Sequence, residues 1–199
     1  MLHSTFSPTL SLGPLSITIL TEQLQQWQGL RAGKRTALEY FFRCYYAEMY
    51  QYAAALLPDE ASIHDQVQQF FLGLWEKHQQ LPAEVKVKSY LFQSLRFALI
   101  DELRRRQRSR IVLWGNNDHR FEWRTAALEQ TAYAENTMLR EALNALSPTQ
   151  QEIIFLRFYN RIPYPEIAEI MDMRYQSVRN AAHRGFKKMR TILKKDSPA

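Results

Sequence analysis

Apolar residues recur at helical spacing along most of this chain. Across positions 36–57 they fall at i, i+3, i+4 and i+7, which predicts one amphipathic helix with an aromatic-rich stripe. The same pattern predicts further helices at about 62–78, 89–106, 139–146 and 148–159. The chain also contains only 6 glycines. Together these features predict an all-α protein.

The helical periodicity weakens at 111–133, where a Gly-Asn-Asn-Asp turn signal occupies positions 115–118. We therefore expect two small helical domains, at 26–110 and 134–199, joined by this linker. Residues 1–25 precede the first domain, and their Ser/Thr/Pro-rich beginning predicts a loosely ordered extension. Three aromatic residues indicate that parts of the linker dock on a surface: Trp114, Phe121 and Trp123.

The segment 163–190 predicts two helices joined by a tight turn, and the second helix is strongly basic. No acidic residue occurs from Met173 to Lys195. A short apolar helix followed by a long basic one is typical of a helix-turn-helix, whose second helix enters a DNA major groove. Just upstream, the quartet at 147–150 (Ser-Pro-Thr-Gln) predicts a capping box that starts the preceding helix. The residues expected to pack the corner are Ile167, Ala168, Ile170, Met171, Met173 and Val178.

The outer stripe of the basic helix is suited to reading DNA. Arginine pairs well with guanine, and Asn and Gln pair well with adenine. Cations farther along the helix are placed for phosphates, which position a protein without reading sequence. A solvated basic face is the alternative. The candidate DNA-contacting residues are Arg174, Tyr175, Gln176, Ser177, Arg179, Asn180, His183, Arg184 and Lys187, with Lys188 as a further phosphate contact.

Charge and cysteine content narrow the class of protein. The net charge of +6 lies entirely in residues 101–199, so we expect a polyanion partner to meet mainly the C-terminal half. The single cysteine, Cys44, excludes an internal disulfide and a multi-cysteine zinc site, and we expect it to be buried and inert. The pattern of a signal peptide or a membrane-spanning helix is absent from the sequence. These features predict a soluble cytoplasmic protein.

A polar cluster interrupts the second long predicted helix. Asp65, Gln68 and Gln69 occur at i, i+3 and i+4, so they lie together on one face of that helix. The cluster predicts either an interface with a partner or a solvated face. The opposite, buried face is expected to consist of Val67, Phe70, Phe71, Leu74 and Trp75.

Four stretches, in this order, carry a family resemblance: QGLRAGKRTALEYFFRCYY, DQVQQFFLGLW, VKSYLFQSLRFALIDELRRR and ALSPTQQEIIFLRFYNRIPYPEIAEIMDMRYQSVRNAAHRGFKKMR. The chain resembles a bacterial RNA polymerase sigma factor of the extracytoplasmic-function group, the short kind with only regions 2 and 4. The first three stretches look like region 2, with its polymerase-binding helix and its −10-recognising helix. The last stretch looks like region 4.

The resemblance implies a factor that directs RNA polymerase to promoters and has no catalytic activity. It implies no cofactor, metal or small-molecule substrate and no membrane insertion, and it implies an anti-sigma factor as a further partner. The domain at 134–199 would be region 4 and would bind the −35 element through the candidates on the basic helix. The domain at 26–110 would be region 2. Within it, Asp65, Gln68 and Gln69 match the positions that bind the clamp helices of the polymerase β′ subunit.

The same resemblance implies a −10 site in region 2. The loop at 79–88 and the start of the next helix match the part that captures a base flipped from the −10 element. Extruding a base costs a few kcal/mol, which stacking surfaces and cations offset. The candidates are Lys86, Lys88, Tyr90, Gln93 and Arg96. Arg104, Arg105 and Arg106 would face the DNA backbone, or they form a simple solvated charge run.

Five positions depart from the family pattern. Phe97 stands where the family usually has asparagine, and Gln69 replaces a usual glutamate. Pro163 and Pro165 replace serine and glutamate, so the first helix of the motif is expected to lack a side-chain cap, for which proline in its first turn partly compensates. Asp172 takes the turn position usually held by glycine, and aspartate tolerates a left-handed backbone better than most residues.

Two other functions fit parts of the sequence. A conventional DNA-binding regulator would sense a ligand or dimerise through its N-terminal domain, and would give a two-fold symmetric footprint without polymerase. An enzyme would need His64, Asp65 and His78 as metal ligands, but their spacing puts them on different sides of a helix. Gly-rich phosphate loops and nucleophile motifs are absent from the sequence. We expect instead two separate helical bodies on one tether that bind the same promoter DNA.

Overall fold

The computed structural model describes residues 14–109, 121 and 137–195, and the regular elements within these ranges are all helical. The elements of the N-terminal part are α1 (Pro14–Arg31), α2 (Arg35–Ala54), α3 (Glu60–Glu76), a 3-10 turn (His78–Gln80) and α4 (Val87–Ser109). Those of the C-terminal part are α5 (Thr137–Asn144), α6 (Pro148–Ile154), a π-helical turn (Phe155–Tyr159), α7 (Tyr164–Ile170) and α8 (Tyr175–Lys195). The all-α prediction is confirmed. Helix α1 begins at Pro14, inside the range expected to be an extension.

The ends of several helices follow from local sequence. Gly33 after α1 has φ 75°, a left-handed conformation that glycine adopts without steric cost. At the start of α3, the Asp59 side chain accepts a hydrogen bond from the Ser62 amide at 2.9 Å. At the start of α6, Ser147 Oγ accepts from the Gln150 amide at 3.3 Å, and Gln150 Oε1 accepts from the Ser147 amide at 3.0 Å. The predicted capping box is therefore confirmed.

An aromatic-rich core joins the four N-terminal helices. Trp27, Phe41 and Phe92 are fully buried, and the Trp27 ring meets the Phe41 ring edge-on at 5.9 Å between centroids. The Trp27 indole Nε1 donates to the Pro82 carbonyl at 2.9 Å. Because Pro82 lies in the loop before α4, this bond attaches that loop to α1.

Two residues of α2 lie closer to solvent than the sequence pattern predicted. Phe42 belongs to the predicted apolar stripe but is 39% exposed. Cys44 is exposed, so the expectation of a buried thiol is wrong. It precedes the buried Tyr45 by one position, and one residue corresponds to a rotation of about 100° around a helix, which carries it out of the buried stripe.

A second cluster joins the C-terminal helices. Leu143, Ile154 and Met189 are buried against one another, so α5, α6 and α8 share this contact. The side chain of Gln151 donates to the carbonyls of Leu143 and Leu146 at 3.1 and 3.3 Å, which holds the end of α5 on α6.

The main hydrophobic cluster extends through both parts of the chain. Phe121 is 1% exposed and lies between Tyr52 of α2 and Phe155 at the end of α6, at 6.0 and 5.5 Å between ring centroids. Docking of the linker is thus confirmed for Phe121, whereas Trp114 and Trp123 lie outside the described residues. The sequence pattern predicted two separate helical bodies, whereas in this structure the two parts pack against each other.

The contribution of the capping box at the start of α6 to stability can be tested by substitution. We predict that Ser147→Ala lowers the free energy of unfolding by about 1 kcal/mol, because the Gln150 amide loses its acceptor. Chemical denaturation followed by circular dichroism measures this change. The control is Thr149→Ala, an exposed substitution in the same first turn that should leave the midpoint nearly unchanged. Equal effects of the two substitutions would contradict the assignment.

Candidate nucleic-acid and polymerase interfaces

The C-terminal part contains a helix-turn-helix formed by α7 and α8. Its turn requires a left-handed residue, and Asp172 has φ 52°, as the sequence predicted. The Met173 amide then donates to the Ala168 carbonyl at 2.9 Å, which closes the turn. Pro163 caps α7 without a side-chain hydrogen bond, and a proline lies in its first turn, so the expected loss of a polar cap is confirmed.

Helix α8 presents the predicted DNA-reading face to solvent. All nine candidates from Arg174 to Lys187 are exposed, whereas Val178, Ala181 and Ala182 on the opposite face are buried. Gln176 Nε2 donates to Asn180 Oδ1 at 3.1 Å. The candidate residues are therefore accessible to a DNA duplex in this structure.

At the start of α8, the side chain of Arg179 packs over the ring of Tyr175. The Arg179 guanidinium lies 5.7 Å from the centroid of the Tyr175 ring, and Tyr175 is 46% exposed. Lys188, expected to contact phosphate, instead donates from Nζ to the Ala145 carbonyl at the end of α5. That cation connects two helices within the protein.

The polar cluster on α3 faces solvent. Asp65, Gln68 and Gln69 are exposed, whereas Val67 and Phe71 are buried. The structure thus brings the three predicted residues together on one outer face. They are free to meet a partner surface of complementary shape.

An apolar groove between α2 and α3 adjoins this cluster, and sequence reasoning missed it. Gln68 lies at the rim of the groove, whose volume is about 540 Å³. Phe42 and Leu72 line it and are 39% and 52% exposed. Leu72 directly follows the buried Phe71 and falls outside the helical stripe, which was the available signal for an outward apolar residue.

Three of the five −10 candidates contact the C-terminal part of the chain. Gln93 Nε2 donates to the Glu169 carbonyl of α7 at 2.7 Å. Lys86 Nζ lies 3.6 Å from Glu166 Oε1 and 3.9 Å from Glu169 Oε1. Arg96 forms the third contact, with α6. Two of these candidates thus contact the first helix of the helix-turn-helix, and the third contacts α6.

The other two −10 candidates are held within the N-terminal part. Lys88 Nζ lies 2.7 Å from Glu48 Oε2 and 5.9 Å from the centroid of the Phe92 ring. Tyr90 is half-buried and meets the Trp27 ring edge-on at 5.3 Å between centroids. Their side chains are therefore anchored rather than extended into solvent.

A buried polar contact joins α2, α4 and α6. Tyr52 Oη donates to Glu152 Oε1 at 2.6 Å, and Arg96 Nε donates to the same oxygen at 2.7 Å. Tyr52 is fully buried, and the side chains of Arg96 and Glu152 are 15% and 8% exposed. We call these three residues the buried triad.

The protonation states in the buried triad follow from its surroundings. Burial raises the pKa of the Tyr52 phenol well above its ordinary value, and the Glu152 carboxylate raises it further, so the phenol stays protonated as a donor. Burial opposes the charge of Arg96, but the Glu152 carboxylate outweighs that effect and raises the pKa of the guanidinium. Arg96 therefore remains charged and paired.

The arginine residues at the end of α4 form ion pairs with acidic side chains of the same protein. Arg105 and Arg106 both donate to Glu102, at 2.8 and 2.6 Å for their Nε atoms. Arg106 also reaches Asp59 Oδ2 at 3.1 Å. Hydrogen bonds from Ser62 and then Arg106 lower the pKa of the Asp59 carboxyl to about 2. Arg106 thus joins α4 to the start of α3.

The two histidines weighed as metal ligands each form a hydrogen bond within the protein. Within them, no group of three His, Cys, Asp or Glu side chains is placed to hold a metal ion. His64 instead meets the Tyr46 hydroxyl at 2.8 Å through Nδ1, and His78 Nδ1 meets the Trp75 carbonyl at 2.7 Å. None of the helices searched in this part of the chain has the length and apolarity needed to cross a bilayer.

Comparison with known proteins identifies the family. The profile of sigma-70 region 2 matches residues 41–109, and that of sigma-70, region 4 matches residues 136–189. Together the two profiles cover more than half of the chain. They fall on the helices that carry the polar cluster and the helix-turn-helix, respectively.

Curated relatives agree with these profiles. The chain is 31% identical over 110 residues to RNA polymerase sigma factor SigV of Bacillus subtilis, across 55% of this chain and 63% of SigV, a little under two thirds of that relative. It is 23% identical over 155 residues to the ECF RNA polymerase sigma factor SigX of the same organism, across 73% of this chain and 78% of SigX. The chain therefore belongs to the sigma-70 family, within its extracytoplasmic-function group. Sigma factors are transcription initiation factors rather than enzymes.

Solved structures share the fold. CnrH, in complex with the cytosolic domain of CnrY, superposes with a TM-score of 0.63 at 20% identity, over 88% of this chain and 99% of that one. The sigma factor RpoE, in complex with the anti-sigma factor NepR from Bartonella quintana, gives a TM-score of 0.53 at 20% identity, over 90% and 99% of the two chains.

The left-handed turn residue of the helix-turn-helix is open to test. We predict that Asp172→Val lowers the free energy of unfolding by about 1–2 kcal/mol, because a β-branched residue is strained at φ 52°. Asp172→Gly is the matched control and should not destabilise the protein, since glycine accepts this conformation. Urea denaturation measures both variants. A valine variant as stable as the glycine variant would contradict the strain argument.

Proposed function

We propose that this chain binds core RNA polymerase and directs it to promoters by recognising −10 and −35 elements. In this proposal the protein works in the cytoplasm and has no catalytic activity of its own. The observation that carries the proposal is the order of two interfaces along one chain. A polar cluster beside an apolar groove lies in the region 2 match, and an exposed basic helix lies in the region 4 match.

The proposed division of the chain follows the two matches. Residues 26–110 act as region 2, residues 134–199 act as region 4, and residues 111–133 link them, with an extension at 1–25. Helix α8 inserts in the major groove at the −35 element. Its first-turn residues Tyr175 and Gln176 and the neighbouring Arg179 reach base edges, and Arg184 and Lys187 meet phosphates.

The polymerase-binding surface in this proposal is the outer face of α3. Asp65, Gln68 and Gln69 supply its polar contacts with the β′ clamp helices. Phe42 and Leu72 supply an apolar centre, because exposed apolar residues beside polar ones are the usual composition of a protein interface. Gln69 in place of a usual glutamate leaves Asp65 as the anionic member of the cluster.

The −10 element is proposed to bind along α4. Lys86, Lys88 and Arg96 supply positive charge, Tyr90 a stacking surface and Gln93 a hydrogen-bonding amide. Unstacking a base costs a few kcal/mol, which these contacts offset without nucleotide hydrolysis.

Regulation by an anti-sigma factor is part of the proposal, since RpoE of Bartonella quintana is bound to such a factor in its structure.

Reconstituted transcription tests the proposed function. Core polymerase supplied with this chain should start transcripts at discrete positions, and 5′-end mapping of run-off products then gives the promoter elements. Core polymerase alone on the same template is the control. Failure to direct any discrete start on DNA that contains the cognate promoter would reject the proposal.

The −35 contact makes a specific prediction. Arg179→Glu should weaken binding to the −35 duplex at least tenfold, since one bidentate base contact contributes about 1–3 kcal/mol and the new carboxylate repels phosphates. Electrophoretic mobility shift measures this loss. The matched control, Arg140→Glu, makes the same charge change at an exposed position on α5. Equal losses for both variants would indicate a general charge effect.

The polymerase contact makes a second prediction. Asp65→Lys should weaken capture of core polymerase at least tenfold while leaving −35 binding unchanged, because the substitution reverses the charge of the α3 cluster and leaves α8 intact. Co-purification with tagged core polymerase measures the effect. Glu141→Lys, on exposed surface of α5, is the charge-matched control and should retain capture. Undiminished capture by the Asp65→Lys variant would contradict the assignment of the polymerase interface to the outer face of α3.

A further inference from the structure

We propose that Trp27 and Arg31 of helix α1 are positioning residues for −10 recognition, because they hold the backbone of the loop that precedes α4. This loop, residues 81–86, lies within the segment 79–88 assigned to base capture, and we call it the −10 loop. The proposal rests on the proposed function and deepens it. Both side chains lie upstream of residues 41–109, the part of the chain that matches region 2.

Two adjacent carbonyls of the −10 loop accept hydrogen bonds from α1. Arg31 Nε donates to the Leu81 carbonyl at 2.9 Å, and Trp27 Nε1 donates to the Pro82 carbonyl at 2.9 Å. Trp27 and Arg31 are separated by one helical turn, so their side chains leave the same face of α1. One face of α1 therefore holds two consecutive peptide groups of the loop.

The −10 loop has few other restraints on its backbone. Among the described residues, positions 82–85 form no backbone–backbone hydrogen bond. Pro82, Ala83 and Glu84 are exposed, whereas Leu81 and Val87 on either side are buried. A segment of this kind opens locally at low free energy. The two bonds from α1 therefore have a large share in fixing where the loop lies.

Trp27 is a rigid donor that also holds a −10 candidate. Its side chain is fully buried, and its ring meets the Phe41 ring edge-on at 5.9 Å between centroids. The other edge-on contact is with Tyr90, the proposed stacking residue, at 5.3 Å. The same indole thus holds the loop through its N–H group and the stacking residue through its ring.

The turn after α1 meets the segment that leads into the −10 loop. Gly33 lies so close to His78 of the 3-10 turn that a Cβ atom at position 33 would be 3.2 Å from the His78 Nε2 atom. His78 is itself fixed by a 2.7 Å hydrogen bond between its Nδ1 and the Trp75 carbonyl. The contacts of α1 therefore follow the chain in order, from the 3-10 turn into the loop.

The segment held by α1 borders a cavity between α3 and α4. The cavity has a volume of about 440 Å³, which is within the range of ligand pockets. Leu81 and Tyr90, both held by α1, line it together with the polar side chains of Gln80 and Ser94. Because selective hydrogen bonding requires groups placed to within about 0.5 Å, a shift of the loop would change which base is preferred.

The bond from Arg31 can be removed without opening the core. Arg31 is only half-buried, so water can reach the Leu81 carbonyl when the guanidinium is absent. We therefore expect the loss of this side chain to shift the loop and to leave the helices in place. The effect should appear in base preference rather than in folding.

Transcription by the holoenzyme tests the positioning role. Four templates are compared that differ only at the −10 position where promoter mapping shows the strongest base preference. Arg31→Met keeps the length of the side chain but removes the donor, so the preference for the cognate base should fall about fivefold, the factor expected for one hydrogen bond. Arg31→Lys keeps a donor and should retain most of the preference. Lys34→Met makes the same charge change at an exposed position nearby and should behave like the wild type.

A second variant covers the case in which Arg31→Met folds poorly, as judged by circular dichroism. Trp27→Phe removes the N–H group that donates to the Pro82 carbonyl and keeps an aromatic ring in the core. It should lower the base preference in the same direction. Both variants should capture core polymerase and bind the −35 duplex like the wild type, because the α3 cluster and α8 are unchanged.

The outcomes separate the positioning role from the proposed function. Folded Arg31→Met and Trp27→Phe variants with the base preference of the wild type would overturn the role. An equal loss of transcription from all four templates would also overturn it, because a merely structural defect gives that result. Absence of discrete starts with the wild-type chain would instead reject the proposed function, and the positioning role with it.

Discussion

The arrangement of the two helical parts depends on one buried carboxylate. Glu152 enters a largely apolar region, and an unpaired charge there would cost several kcal/mol. Tyr52 and Arg96 remove that cost by donating to the same oxygen at 2.6 and 2.7 Å. Because these donors belong to α2 and α4, the carboxylate is satisfied where α6 lies against both of these helices.

This packing leaves some of the candidate binding surfaces exposed and places others at the contact between the two parts. The α3 cluster with its apolar groove, and the reading face of α8, lie outside the contact between the two parts. The five −10 candidates all have contacts within the protein, three of them with the C-terminal part. The two surfaces that the proposed function assigns to polymerase and to the −35 element are therefore exposed, whereas the proposed −10 side chains are engaged within the protein.

Much of the fold and of the outer interfaces could be predicted from the sequence, because they depend on local pattern. Helical periodicity located the helices, the Ser147 box predicted the start of α6, and Asp172 was correctly expected in a left-handed turn. The buried triad could not be predicted. Its hydrogen bonds join residues 100 and 56 positions apart, and Tyr52 had the apolar periodicity of an ordinary core residue. Arg96 was instead predicted to contact DNA, since its partner Glu152 lies in another part of the chain.

The central claim is that the Glu152 carboxylate, paired with Tyr52 and Arg96, holds the two helical parts of the chain together. The most direct measurement is urea denaturation of Glu152→Ala beside the exposed control Glu141→Ala. The account predicts that Glu152→Ala lowers the free energy of unfolding by about 3–5 kcal/mol, because Arg96 loses its partner, and that Glu141→Ala changes it little. Equal stability of the two variants would contradict the account.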